Sequence, residues 1–88
     1  MKKLIRFWLR FEQFAGPEVL NLGCGVTAYD YNDALGLLRE NVFKKAVFPR
    51  ILEFNEDVDI SSLDQKHVVP NMEDPTSRGI WFPRGWRS

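Results

Sequence analysis

Eighty-eight residues make room for one small domain, because a chain of this size buries only roughly 60 to 68% of the surface that its unfolded form exposes. A hydrophobic fraction of 44%, an aromatic fraction of 14% and a charged fraction of 27% exclude a chain that is disordered throughout. The formal net charge is zero, which excludes whole-molecule attraction to nucleic acid or membrane; yet residues 1 to 50 hold eight Lys/Arg and five Asp/Glu, residues 51 to 77 one and seven, and residues 78 to 88 three and none.

The opening MKKLIRFWLRF starts like a signal peptide, but Arg6 and Arg10 interrupt its apolar run and no small-residue cleavage site follows. No segment reaches the ~18 consecutive apolar residues of a membrane span. Cys24 is the only cysteine, so an internal disulfide is excluded and the expected compartment is the cytoplasm.

Residues 3 to 11 alternate. Lys3, Ile5, Phe7, Leu9 and Phe11 fall on one side, and Leu4, Arg6, Trp8 and Arg10 on the other, which predicts a strand with one buried face carrying Ile5, Phe7, Leu9 and Phe11. Ala15-Gly16-Pro17 marks a turn. Val19 to Ala28 reads as a second strand, with Gly23 and Gly25 as a bulge or a point where another backbone comes close.

From Asp30 the period changes. Ala34, Leu37, Leu38 and Val42 recur at helical spacing with Asn32, Asp33, Arg39 and Glu40 on the polar side, predicting a helix over residues 30 to 43 capped by Thr27 or Asp30. Gly36 costs that helix roughly 1 kcal/mol relative to Ala, and it either faces water or permits close packing. Residues 50 to 60 read as a third strand with a break or bulge at Asn55 to Asp57. Beyond it, Ser61 or Ser62 caps one turn through Leu63 and Asp64, and Pro70 and Pro75 exclude a longer helix or a central strand. Ile80-Trp81-Phe82 forms a last short strand ending at Pro83. The expected architecture is a single α+β domain over residues 1 to 88: a small, mostly antiparallel sheet of about four strands, with one main α-helix packed on one face.

The stretch VLNLGCGVTAYD, residues 19 to 30, resembles the first strand, loop and helix of class I S-adenosylmethionine methyltransferases at Leu20, Leu22, Gly23, Cys24 and Gly25. Asn21 stands where those enzymes place an acid and Thr27 where a third glycine is expected, and a doubly wound fold needs several βα units where one is visible. The preferred reading is an ordinary strand entering a capped helix, with no cofactor. Cys24 as a nucleophile needs a base, and the sole histidine, His67, stands in a distant irregular segment. The carboxylates Glu53, Glu56, Asp57, Asp59 and Asp64 lack the spacing of a calcium loop, and an extended strand puts Glu53, Asp57 and Asp59 on one face; they are read as solvated, with no metal.

In order along the chain, GCGVTAYDYNDAL (residues 23 to 35), EDVDISSLD (56 to 64), HVVPNM (67 to 72) and RGIWFP (78 to 83) resemble blocks of a set of small bacterial proteins of unknown function. The resemblance spans most of the chain from Gly23 onward; it implies one domain and, those proteins having no assigned activity, supplies no catalytic residues.

Three functional readings follow. The leading one is a non-enzymatic binding or protein-interaction module that uses residues 56 to 84. Asp57, Asp59, Asp64, His67 and Asn71 hold its irregular segment, and Trp81, Arg84 and Trp86 act as anchors in an Arg/Trp-rich tail. The same composition lets Trp81 and Phe82 complete the core instead. The second is a small enzyme or metal-binding protein centred on His67 and nearby carboxylates, and the third a single-strand nucleic-acid binder using Arg6, Trp8 and Arg10 with the tail. A protein partner is favoured over nucleic acid, no membrane is expected, and the chain is read as a monomer.

Overall fold

The computed structural model describes residues 3–12, 20, 22–44 and 48–85. Its elements follow the order β1 (Ile5–Phe11), β2 (Cys24–Ala28), α1 (Tyr31–Asn41), β3 (Ile51–Glu56) and β4 (Gly79–Phe82). They form an α+β fold around one four-stranded sheet of order β3-β1-β2-β4, in which every neighbouring pair is antiparallel. Because β1 runs against both its neighbours, β2 and β3 are parallel to each other, and α1 carries the chain past β1 between them as a split βαβ unit.

One sheet face is the expected core. Phe7, Leu9 and Phe11 of β1 meet Cys24, Val26 and Ala28 of β2, Ile80 of β4, and Ala34, Leu37 and Leu38 of α1, with Ile5 half-buried at the margin. At the end of β1, Phe11 and Phe43 meet edge to face with centroids 5.3 Å apart, and Phe48 joins them 5.1 Å from Phe43. The helix starts where its local chemistry requires: the Asp30 carboxylate accepts from the Asp33 amide at 2.8 Å, satisfying one of the free donors of the first turn. It ends at Asn41, two residues short of the expected end, with Val42 as its cap.

The second face departs from the expectation that β1 has one buried side. Trp8 points away from the helix and is only 7% exposed, packed with Val58, Val68, Trp81 and Phe82 in a second apolar cluster. Its ring centroid lies 6.0 Å from that of Trp81 and 5.5 Å from that of Phe82. The cover on this face is the irregular segment from residue 57 to 78, not a second helix. A bulge in β4 makes this possible. Gly25 pairs with Phe82 and Val26 with Ile80, so Trp81 is an extra residue, and both aromatic rings turn to the same face instead of alternating. A matching irregularity in β3 leaves Leu52 unpaired between the partners of Arg10 and Phe11, which returns Ile51 to the core side.

Other boundaries move for visible reasons. The second strand begins at Cys24 rather than Val19, since Gly23 has φ 127°, outside strand geometry; residues 13–19 and 21, including the Ala15-Gly16-Pro17 turn, lie outside the described residues. The third strand stops at Glu56, because Asp57 takes φ 51° and breaks the alternation that would have put Glu53, Asp57 and Asp59 on one face.

Candidate functional site

The irregular segment is built from short, side-chain-stapled turns. Asp59, rather than Ser61 or Ser62, caps the 3-10 turn Ile60–Ser62: its carboxylate accepts from the Ser61 amide at 3.0 Å and the Ser61 hydroxyl at 2.8 Å. These bonds hold its carboxyl below the usual carboxylate range. Asp64 staples the next turn, accepting from the Lys66 and His67 amides at 2.8 and 3.0 Å, while His67 Nδ1 lies 3.0 Å from its other oxygen. An ionised carboxylate only accepts, so Nδ1 carries the proton, and this ring bond together with the two amides pulls the Asp64 carboxyl down to about 2. Asn71 donates to the His67 carbonyl at 2.9 Å and accepts through its own carbonyl from the Arg84 amide at 3.2 Å. The Glu73 amide donates to the Trp81 carbonyl, so residues 71 to 73 lie along β4.

Draped over the sheet, this segment leaves two grooves on the face opposite the helix. Toward the end of β1, Trp8 and Arg10, Leu22 before β2, and Ser62, Leu63, Asp64 and Val68 line an open groove of about 330 Å³. Toward its start, Lys3, Leu4 and Arg6 with Thr27, Asp57, Pro75 and Thr76 line about 300 Å³. Thr27 is itself buried, and its hydroxyl donates to the Pro75 carbonyl at 2.6 Å, tying the segment to β2.

The expected site residues therefore do not converge. Asp64 lies in the first groove and Asp57 in the second; Asp59 is spent on its own turn; His67 and Asn71 order the loop. Among the described residues no three of His, Cys, Asp and Glu gather closely enough to hold a metal ion. Trp81 is fully buried, as in the core alternative, and presents no surface to a partner. Arg84 is exposed and donates to the Met72 carbonyl at 3.2 Å, and Trp86 lies outside the described residues. Trp8 is likewise packed away from any stacking base, with Arg6 and Arg10 in different grooves.

The Gly-Cys-Gly stretch has a packing role. A Cβ at Gly25 would overlap the Trp81 indole, and one at Gly23 would come within 2.7 Å of Trp8 Cζ2. At Gly23 the Leu9 carbonyl also comes within 2.8 Å, the close backbone approach expected from the sequence, whereas at Gly25 the near neighbour is the Trp81 indole. Cys24 between them is buried in β2, where desolvation pushes its thiol up to about 12, the reverse of an activated nucleophile.

Trp8, Arg10, Leu22, Ser62, Leu63 and Val68 were not legible as one site. The outward alternation of β1 marks Trp8 and Arg10 as neighbours on one face, but only the long-range docking of the 60 to 68 turns builds the opposite wall. No helix among the described residues is long and apolar enough to cross a membrane. No family model matches this chain, and no match to it was found among curated proteins or solved structures.

Proposed function

We infer that this is a non-enzymatic binding module, working in the cytoplasm, whose partner engages the face built by residues 56 to 84 over β1. The observation that carries this reading is the groove of about 330 Å³ between Trp8, Arg10 and Leu22 on one side and Ser62, Leu63, Asp64 and Val68 on the other. It combines an apolar floor with a few polar groups, the composition of sites that bind by shape and orient by hydrogen bonds. Leu22 at its rim is 40% exposed, a large apolar side chain that a ligand or partner can cover.

The test is comparative capture. The immobilised chain, its Leu22→Arg variant and its Glu40→Arg variant, altered on the exposed side of α1, are exposed to the same extract. Partners held by the wild type and by Glu40→Arg but lost by Leu22→Arg support the reading. Partners held equally by all three, or lost only with Glu40→Arg, overturn it.

The enzyme alternative has one specific observation in its favour, the 3.0 Å contact that fixes the His67 tautomer and leaves Nε2 as the basic nitrogen. It still requires a nucleophile or substrate pocket beside that nitrogen, and Cys24 is buried in the sheet.

A further inference from the structure

The groove beside Trp8 carries a positive and a negative side chain that do not pair with each other. Arg10 has one loose contact, 3.7 Å from Glu53 across the strand pair, and about half of its side chain remains exposed. No side-chain hydrogen bond ties its guanidinium to any described residue. Asp64, which also lines the groove, is bound to its own turn and to His67, and with its carboxyl near 2 it stays anionic across the working pH range. Leu22, Leu63, Val68 and Trp8 supply the groove's apolar lining.

We propose that this groove binds a small zwitterion with an apolar side chain, a free hydrophobic amino acid or a dipeptide of such residues. The proposal rests on the reading of this face as the binding surface. A guanidinium presents a fork of N–H donors that matches a carboxylate in two parallel bonds. An ionised carboxylate offers acceptors only, and so it selects an ammonium or N–H donor. An apolar lining gains from burying a hydrocarbon side chain, by roughly 25 cal/mol per Å² removed from water. A ligand with one charge would engage only one of the two charged groups. An open groove of about 330 Å³ lined by seven residues has the scale of a small molecule rather than of a folded partner.

The experiment is a titration of the ¹⁵N-labelled full chain with leucine, leucyl-leucine, N-acetyl-leucine and leucinamide, followed by amide chemical shifts. Binding of leucine or the dipeptide is expected to move the amides of Leu22, Ser62, Leu63, Asp64 and Val68 and to leave Ala34 and Leu38 in place. N-acetyl-leucine and leucinamide, each missing one charge, are expected to bind at least ten-fold more weakly, and Arg10→Gln to weaken leucine by a similar factor. Asp64→Asn is the second variant, read only after its spectrum shows the 64 to 68 turn intact. Equal binding of N-acetyl-leucine, or shifts confined to other parts of the chain, would overturn the zwitterion. Absence of any shift, with partner capture still sensitive to Leu22→Arg, sinks this ligand class and leaves the binding face standing. Absence of both sinks the two together.

Discussion

The six-membered ring of the Trp81 indole lies on Gly25, where a methyl group would occupy the space the ring fills. The pairing is between the bulge residue of β4 and the glycine opposite it, and it seats the largest fully buried side chain among the described residues against bare backbone. Trp81 Nε1 has no hydrogen-bond partner among the described residues, so the ring is held by volume and shape alone. Gly25→Ala is therefore expected to cost about 1 to 3 kcal/mol by overpacking. Combined with Trp81→Leu, the cost of Gly25→Ala should shrink, giving a coupling of at least about 0.5 kcal/mol in a double-mutant cycle by urea unfolding. Additive costs would show that the two positions do not share the same space.

Gly36 offers the opposite case. A Cβ there meets nothing within 4 Å, which resolves the two readings that the helix pattern allowed in favour of open space. Gly36→Ala is expected to stabilise the fold by up to about 1 kcal/mol, through helix propensity and reduced freedom of the unfolded chain. Denaturant midpoints of the two proteins check this, and a lower midpoint for the variant would mean that something covers the site.

Asp33 and Arg78 form a fork between the first turn of α1 and the loop entering β4, with Nε donating to Oδ2 at 2.9 Å and a second bond from Nη2 to Oδ1. Asp33 also accepts from the Tyr29 amide at 3.0 Å, and the guanidinium lies 5.7 Å from the Tyr29 ring. Arg78→Lys keeps the charge and loses the planar fork. Solvent screens this partly exposed pair, so the expected loss is at most about 1 kcal/mol, smaller still in high salt. An unchanged thermal midpoint at low salt would show the fork to be dispensable.

Acid should loosen the loop that Asp64 staples. Its carboxyl sits at about 2 in the folded chain against the usual 3.8, pulled down chiefly by the His67 ring bond and then by the backbone amides. A lowered folded value means that the contribution is complete above 3.8 and is lost as pH falls from there through about 2. Amide shifts of Lys66 and His67 should titrate in that window, and they should stop doing so in Asp64→Asn. A midpoint near the ordinary carboxylate value would refute the staple.

Cys24 should be silent. With its thiol near 12 and its side chain fully buried in β2, it is expected to resist a thiol reagent at neutral pH for as long as the protein is folded, and to react once denaturant opens the sheet. Rapid modification of native protein would show that β2 opens readily or that the thiol is reached from outside.

Local period was enough for some of this architecture. The alternation of residues 5 to 11 and the helical spacing with its Asp30 cap are properties of consecutive residues, and both elements stand where their patterns place them. The short last strand before Pro83 belongs with them. What only the tertiary structure decided is everything that depends on distant chain segments meeting. Trp8 reads as an outward residue until Val58, Val68, Trp81 and Phe82 cover it. The glycines of the Gly-Cys-Gly stretch carry a partial likeness to a ligand cradle, and what they make room for, the Trp8 and Trp81 indoles with the Leu9 carbonyl at Gly23, shows only once the chain is packed. The bulge that turns Trp81 and Phe82 to one face depends on pairing with β2, and the groove depends on turns about fifty residues away in sequence from the strand they cover. Periodicity records which side of its own element a residue occupies; whether that side meets water or another part of the chain is settled by packing, which no local pattern encodes.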